Sequence, residues 1–200
     1  MSETLSDAPE ISVPDIRDYE RINAEAARLL DGGAPLVRLV GVQGQRLLLW
    51  GLAGPWTATI EVEGSPGPEF AAELNAPNLT IVCGGSTADA PGRGLKAGRL
   101  RIQGRAGDAA GYGQSGGIIA VLGPAGHRAG LMMAGGVLAL AGGAGRLAGE
   151  RQSGGLILLK GSESAHRSRG QSGGRLILFD PGPISSEDLA VFQQAVDNDS

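Results

Sequence analysis

The sequence has few of the residues that hold many small secreted domains together. It contains one cysteine, so no internal disulfide framework can form, and only two Trp, two Tyr and three Phe in 200 residues. No uncharged stretch reaches the roughly 20 apolar residues that a membrane-spanning helix needs. The start, Met1-Ser-Glu-Thr, lacks the basic and apolar regions of a secretion signal. We therefore expect a cytoplasmic protein without a membrane partner.

Glycine is the residue in excess, with 35 of 200 positions, against a usual share of about 7%. It is not spaced at every third position, which excludes collagen, and a hydrophobic content of 42% excludes a disordered chain. The 17 basic and 21 acidic residues give a net charge of -4, so no nucleic-acid partner is predicted. The balance reverses between Arg99 and Arg175, where basic residues outnumber acidic ones.

An internal repeat of 19 residues organises the second half of the chain. The second glycine of a Gly-Gly or Ala-Gly pair recurs at this spacing from Gly98 to Gly174, and a short aliphatic run of the kind found in strands follows each. Aligning the runs gives two apolar columns that extend backwards with slightly longer spacings. The first column is Val37, Ile60, Ile81, Leu100, Ile119, Leu138, Ile157 and Leu176, and the second is Leu39, Val62, Cys83, Ile102, Val121, Leu140, Leu159 and Leu178. The two columns are two residues apart, and side chains at that separation in a strand point to the same face. Both columns are therefore predicted to lie on the buried face.

This pattern predicts an all-β fold, a single-stranded right-handed parallel β-helix of about eight coils. Leucine-rich repeats would show an Asn or Cys ladder, propeller blades need about 40 residues, and left-handed hexapeptide helices need a multiple of six residues. None of these fits the 19-residue repeat. Corner segments such as GRAGD and GPAGH imply either positive φ or close approach between coils. Open strand edges need covers, and helical patterns predict a helix at each end. The predicted organisation is a flexible N-terminus over 1–14, a capping helix over 15–33, the β-helix over 34–183, and a helix with a tail over 184–200.

Several segments match catalytic motifs, but the repeat accounts for them. Gly111–Gly116 fits the dinucleotide pattern G-x-G-x-x-G, yet a strand follows it where a helix is required. Ser115 and Ser172 fit the nucleophile pattern G-x-S-x-G, but they are equivalent corner residues three repeats apart. The two histidines, His127 and His166, occupy turn positions that we interpret as freely variable. An independent hydrolase is therefore a third and disfavoured hypothesis.

The remaining candidate residues also have structural explanations. Cys83 belongs to the second aliphatic column and is predicted to be a buried, unreactive thiol. One cysteine and two histidines form no recognisable metal site. Asn78-Leu-Thr80 matches a glycosylation sequon that has no use without secretion. Met132 and Met133 lie in a corner, where they fill gaps or, if exposed, suit a partner contact. The sequence thus predicts no catalytic, cofactor-binding or metal-binding residue.

The pattern Gly-Gly, strand, Gly-x-Ala-Gly resembles the GXGXG β-helix that forms the C-terminal domain of the glutamate synthase large subunit and related free-standing subunits. The resemblance covers residues 16–180. Its most specific segments are RINAEAARLL, VRLVGVQGQRLLLWGLAG, IEVEGSPGPEFAAELNAPNLTIVCGG, GDAAGYGQSGG and GHRAGLMMAGG. It implies a non-catalytic scaffold subunit of an oxidoreductase complex of nitrogen metabolism. Glutamine amidotransferase and flavin-binding synthase subunits would be its partners, with FMN and iron-sulfur clusters in those subunits and no cofactor on this chain.

A more distant resemblance gives an alternative function. The β-helical subunit of formylmethanofuran dehydrogenase, and of the related formyltransferase/hydrolase complex, shares the fold and implies a structural role in a C1 complex. The chain also departs from the family pattern at two corners. Ser164 and Ala165 stand where other corners have glycine, and Gly145–Gly149 replaces an acidic turn. These departures bear on any contact that the family makes through those corners.

Overall fold

The computed structural model describes residues 8–14, 18–161, 169–179 and 184–197. These residues form nine strands and two helices. In chain order they are β1 (Glu10–Ser12), α1 (Tyr19–Asp31), β2 (Leu36–Gln43), β3 (Ala58–Ser65), β4 (Asn75–Cys83), β5 (Ala97–Ile102), β6 (Ser115–Val121), β7 (Ala134–Leu140), β8 (Gly154–Lys160), β9 (Arg175–Phe179) and α2 (Ser186–Val196).

The strands form one all-parallel sheet in which each strand pairs with the next along the chain. Leu100 pairs with Ile119, Ile119 with Leu138, and Leu138 with Ile157, so the register reproduces the first aliphatic column. The second column is reproduced in the same way from Leu39 to Leu178. With one strand per coil, the chain is a β-solenoid of about seven turns. The predicted all-β parallel solenoid is therefore confirmed.

The core runs along the solenoid as one continuous cluster. Both aliphatic columns are buried from Val37 to Leu159, while Leu176 and Leu178 in β9 are partly buried. Each fully buried aliphatic side chain contributes about 1.5 to 3 kcal/mol before conformational entropy is subtracted. The stability of each coil therefore depends on a few inward side chains and on the coils next to it.

The corner before each strand from β3 to β8 contains three alternate residues with left-handed backbone. Before β7 they are Arg128, Gly130 and Met132, with φ of 58°, 72° and 53°. A Cβ atom at Gly130 would lie 2.5 Å from Cδ1 of Ile157, so this middle position needs glycine for space as well as for conformation. The two outer positions accept side chains, at a strain of about 1 to 2 kcal/mol each. This alternation is the physical content of the G-x-G-x-G pattern.

Glycines in the opposite corner serve close approach between coils. A Cβ atom at Gly123 would lie 2.5 Å from the carbonyl oxygen of Gly104 in the coil before it. Neither residue is among those with positive φ. Of the two reasons that the sequence left open for these corners, close backbone contact is therefore the one that applies to Gly104 and Gly123.

The N-terminal helix covers the first coils. Asp18 caps α1 by accepting a hydrogen bond at Oδ1 from the Glu20 N–H at 2.9 Å. Ile22, Ala26 and Leu30 of α1 are buried in the main core. The buried Asn23 side chain bonds the Leu47 carbonyl and the Leu49 N–H. These contacts fix α1 against the beginning of the solenoid, where the sequence predicted a helix.

Strand β1 differs from the flexible N-terminus that was expected over 1–14. Glu10–Ser12 pairs in parallel with Arg38–Val40, and the side chains of Ile11 and Val13 are buried. The first edge of the sheet is therefore extended by a strand of three residues. Two alternating apolar residues are too short a pattern to be distinguished from a loop by sequence alone.

The C-terminal helix is present, but it covers a different surface from the expected one. Phe192 and Ala195 of α2 pack against Ala120, Ala139 and Leu158 on the outward face of the sheet. Phe192 also meets Phe179 edge to face, with ring centroids 4.8 Å apart. Helix α2 thus lies across the outward face of the later strands instead of over the open edge of β9. The outward side chains of β6 to β8 that α2 covers are apolar, and burial under α2 removes them from water.

Candidate docking surface

The serines of the G-x-S-x-G matches occupy equivalent places in the solenoid. The Ser115 N–H donates to the Leu95 carbonyl, and the Ser172 N–H donates to the Gln152 carbonyl, both at 2.9 Å. Each bond joins the start of one coil to the coil before it. The two motif matches are therefore copies of one structural position, as the repeat predicted. Likewise, Gly111–Gly116 leads into β6 and not into a helix, so no helix N-terminus is available there for a pyrophosphate.

His127 belongs to a ladder of side chains along one corner. Oδ1 of Asp89 accepts from the Asp108 N–H at 2.8 Å, and Oδ1 of Asp108 accepts from the His127 N–H at 2.7 Å. Nδ1 of His127 then accepts from the Arg146 N–H at 2.9 Å. The interpretation of this position as freely variable is therefore wrong for Asp89, Asp108 and His127, because each of these side chains accepts a hydrogen bond from the backbone of the next coil. The signal was present as Asp, Asp and His at 19-residue spacing. His166 lies outside the described residues.

Sequence reasoning missed a column of glutamines inside the solenoid. Gln114 and Gln152 are fully buried. The Gln114 Nε2 donates to the carbonyls of Gly116, Gly117 and Val137 at 2.9 to 3.2 Å. Gln152 makes the three equivalent bonds, to the carbonyls of Gly154, Gly155 and, in the next coil, Arg175, and its Oε1 accepts from Gln171 at 3.3 Å. The repeated sequence QSGG was the available signal, and its glutamine side chain joins neighbouring coils by hydrogen bonds.

Cys83 is buried in the core, as predicted. Its Sγ lies 3.6 Å from the Gly85 carbonyl oxygen and 3.7 Å from that of Gly64. Burial raises the pKa of the Cys83 thiol to about 11. Because the thiolate is the nucleophilic form, this thiol is protonated and unreactive near neutral pH.

The described residues offer little to a metal ion, and the cysteine content offers little to a cluster. Within the described ranges, no group of three or more His, Cys, Asp or Glu residues is placed to hold a metal ion. A single cysteine cannot supply the four thiolates that ordinarily hold an iron-sulfur cluster. Among the described segments there is also no helix with the length and apolar character to cross a bilayer.

The outward face of the sheet divides into a charged half and an apolar half. On the charged half, Arg38 pairs with Glu61 at 3.1 Å. Next to this pair lies a shallow groove of about 470 Å³, lined by Glu63, Arg99 and Arg101 among other residues. The apolar half, on β6 to β9, lies beneath α2. The groove therefore ends at the C-terminal end of α2, where Asp197 lines it.

Arginines from the sheet hold both ends of α2. At the C-terminal end, Arg99 donates to the Gln194 carbonyl at 2.6 Å and Arg101 donates to the Val196 carbonyl at 3.0 Å. These cations satisfy terminal carbonyls and oppose the helix dipole, since α2 has no basic residue in its last turn. At the N-terminal end, Arg175 pairs with Asp188 at 2.7 Å.

Asp188 also completes the cap at the start of α2. The hydroxyl of Ser185 donates to Oδ2 of Asp188 at 2.6 Å, and the Ser185 Oγ accepts from the Asp188 N–H at 3.0 Å. The hydrogen bond from Ser185, together with the Arg175 guanidinium, holds the pKa of the Asp188 carboxyl below its usual value. The N-terminus of α2 is thus fixed by an ionised carboxylate.

The G-x-G-x-G corner carries balanced charges in its early coils. Glu69 pairs with Arg93 at 3.1 Å, and Glu73 pairs with Lys96 at 3.0 Å. The guanidinium of Arg93 also lies 6.0 Å from the ring centroid of Tyr112. These side chains satisfy one another and leave no net charge on this part of the corner.

The same corner is basic and partly apolar in the later coils. Arg128 pairs with Glu150 at 3.2 Å, whereas Arg146, Arg151 and Arg169 have no carboxylate partner in the part of the chain that the structure describes. Met133 is buried, but the adjacent Met132 is 46% exposed. We call this surface the basic patch; it consists of Arg128, Leu131, Met132, Arg146, Leu147, Glu150, Arg151 and Arg169.

The comparison with known families finds a family that is named after this corner pattern. The family model named GXGXG motif matches residues 44–190, which is most of the chain. The chain belongs to the GXGXG motif family. The family is that of the glutamate synthase C-terminal domain. No curated protein and no solved structure matches the chain.

The left-handed corner recurs before every strand from β3 to β8 of this GXGXG protein. In this GXGXG protein the outer corner positions are ion-paired glutamates before β4, alanine or glycine before β5 and β6, and Arg, Met or Leu before β7 and β8. Its buried amides and the Asp89–Asp108–His127 ladder are engaged by backbone groups of neighbouring coils.

Proposed function

We propose that this GXGXG protein is a non-catalytic scaffold subunit of a glutamate-synthase-like enzyme complex in the cytoplasm. Its partners would be a glutamine amidotransferase subunit and a flavin-binding synthase subunit. The observation that supports this proposal best is the use of the chain's polar motif residues. The imidazole of His127 and the amide of Gln152 bind backbone groups of adjacent coils, where a catalytic group would be turned to a substrate.

The cofactors of such a complex would lie in the partners. We propose that FMN lies in the synthase subunit, as the resemblance implies, together with the iron-sulfur clusters, which the one buried cysteine of this chain cannot ligate. The solenoid would contribute a rigid body of fixed length. At about 4.8 Å per strand, eight strand spacings from β1 to β9 separate surfaces at its two ends by about 38 Å.

The test of complex membership is recovery of the full-length chain, carrying an affinity tag, from the cells that encode it. We expect an amidotransferase and a flavoprotein to elute with it in fixed stoichiometry. Elution with a metallo-amidohydrolase instead would support the C1-complex alternative. A chain that elutes alone as a monomer under conditions that preserve known complexes would refute both scaffold functions.

The test of the non-catalytic role is an activity assay on the purified chain. We expect no hydrolysis of glutamine, simple amides or esters. Ser115→Ala and its repeat-equivalent control Ser172→Ala should be indistinguishable from the parent protein. Turnover that disappears in Ser115→Ala but persists in Ser172→Ala would establish a nucleophile and overturn the proposal.

A further inference from the structure

The basic patch is built from large side chains at strained backbone positions. Arg128, Met132, Leu147 and Arg151 all have positive φ, between 53° and 65°. The corresponding residues of the two preceding corners are Ala90, Gly94, Ala109 and Gly113. Left-handed backbone disfavours any residue with a Cβ, and glycine avoids this strain. The two late corners, before β7 and β8, therefore carry large side chains where the two corners before them manage with small ones.

Contacts within the chain do not compensate for this strain at Met132 and Arg151. Met132 leaves 46% of its surface exposed, although the buried Met133 beside it fills the gap in the core. Arg151 is exposed and has no carboxylate partner among the residues described. A glycine at either position would be expected to stabilise the isolated chain. These side chains are thus explained better by something that binds them than by folding.

The composition of the patch defines what would bind. The patch contains four arginines and one glutamate, Glu150, which pairs with Arg128, and its apolar members are Leu131, Met132 and Leu147. Protein interfaces are enriched in methionine and arginine at their centres. We propose that the basic patch docks a protein surface in which carboxylates surround an apolar pocket that receives Met132. The identity of this partner as a subunit of the complex rests on the function proposed above.

A protein fits this patch better than a polyanion does. The chain as a whole carries a net charge of -4, which repels nucleic acid or an anionic bilayer at long range. The Arg128–Glu150 pair places a carboxylate within the patch, where a continuous row of phosphates would meet repulsion. A partner with discrete carboxylates can avoid Glu150 and pair with Arg146, Arg151 and Arg169.

The docking site can be located by photo-cross-linking in the full-length chain. Met132→benzoylphenylalanine is expressed in the cells that encode the protein, with Trp50→benzoylphenylalanine as the matched control. Trp50 is 47% exposed and lies on the same corner about four coils away, so the two probes differ in position and hardly in accessibility. We expect position 132 to yield one protein adduct whose cross-linked segment is rich in Asp and Glu, and position 50 to yield none with that segment.

The outcomes separate this inference from the proposed function. An acidic-segment adduct to a protein other than an amidotransferase or flavin synthase would support the docking site and refute the proposed complex. Recovery of those subunits without an adduct at position 132 would refute the docking site alone. Equal adducts from both positions, an adduct to a second copy of this chain, or an adduct to nucleic acid or lipid would also overturn it.

A single substitution distinguishes binding from folding. Met132→Gly relieves the positive φ, so the variant should melt at or above the temperature of the parent protein. Its affinity for the purified cross-linking partner should nevertheless fall at least about tenfold, while Trp50→Ala leaves that affinity unchanged. The parent affinity should also weaken as salt is raised. Unchanged affinity in Met132→Gly would show that the exposed methionine takes no part in docking.

Discussion

Replacing Met133 by glutamine should complete the buried glutamine column. Positions 114, 133, 152 and 171 are equivalent, and Met133 is the one member that is not glutamine. In the described structure, Oε1 of Gln114 is buried without a hydrogen-bond donor, whereas Oε1 of Gln152 accepts from Gln171 at 3.3 Å. By the same geometry, Nε2 of the new glutamine would donate to Oε1 of Gln114 and to carbonyls of its own coil.

The expected energy combines one loss, of methionine burial, with two gains, from the Gln114 oxygen and from the new amide bonds. Satisfying the buried Gln114 oxygen should return about 1 to 3 kcal/mol, and loss of the buried methionine side chain costs about 1.5 to 3 kcal/mol. Each new bond from the amide adds about 0.5 to 1.5 kcal/mol. Met133→Gln should therefore change the free energy of unfolding by no more than about 1 to 2 kcal/mol, although it buries a polar group in the core.

The decisive measurement is a double-mutant cycle with Gln114→Leu. Leucine is the natural residue one coil earlier, at Leu95, so the control background should pack well. There the new amide finds no oxygen at position 114, and Met133→Gln should be worse than in the parent by about 1 to 3 kcal/mol. Urea unfolding of the four proteins gives this coupling energy. A coupling below about 0.5 kcal/mol, within the usual error of additivity, would show that the Gln114 oxygen is not unsatisfied and would refute the reasoning.

Three further predictions test the core, the corner and the terminal helix. Leu138→Asp places an unpaired charge in the solenoid and should lower the free energy of unfolding by about 3 to 5 kcal/mol or prevent folding. The surface control Arg146→Ala should change that free energy by no more than about 0.5 kcal/mol. Equal urea midpoints for the two variants would mean that the columns are misassigned. Gly130→Ala should melt well below Gly113→Ala, because both have positive φ but only the first meets core atoms, and the reverse order would contradict the corner geometry. The pKa of Asp188 is lowered by its Ser185 and Arg175 partners, so its support of α2 is complete above the pKa of the unfolded state and is lost as acid approaches the lowered folded value. Asp188→Asn should remove this acid dependence, measured as the pH at which backbone amide signals of α2 shift.

The inward half of the fold could be predicted because its chemistry repeats. Leu138 and its column neighbours meet the same requirement in every coil, so the 19-residue spacing makes them visible in a single sequence. The acceptor ladder through Asp108 and His127 could have been found in the same way. It was missed because an aspartate and a histidine do not look alike, although both accept a hydrogen bond.

The outward half could not be predicted, because its chemistry depends on a distant segment. The column of Arg99, Ile118, Val137, Leu156 and Arg175 looks mixed, as an exposed face would. In the structure, Ile118, Val137 and Leu156 pack with the cluster beneath α2. No spacing within the repeat says which part of the chain supplies that cover. The basic patch could not be predicted either, because the backbone path of the corner decides that Met132 is exposed and Met133 is buried.

The two arginines in that column also explain how a repetitive surface fixes one position for α2. Arg99 and Arg175 stand on β5 and β9, four strand spacings or about 19 Å apart. The 11 residues of α2 span about 16 Å at 1.5 Å per residue, and the long arginine side chains bridge the difference. A slip of α2 by one strand, about 4.8 Å, would keep much of its apolar contact but move one helix end away from its arginine. The apolar stretch therefore provides the affinity for α2, and the flanking charges select among the nearly equivalent positions that a repeat offers.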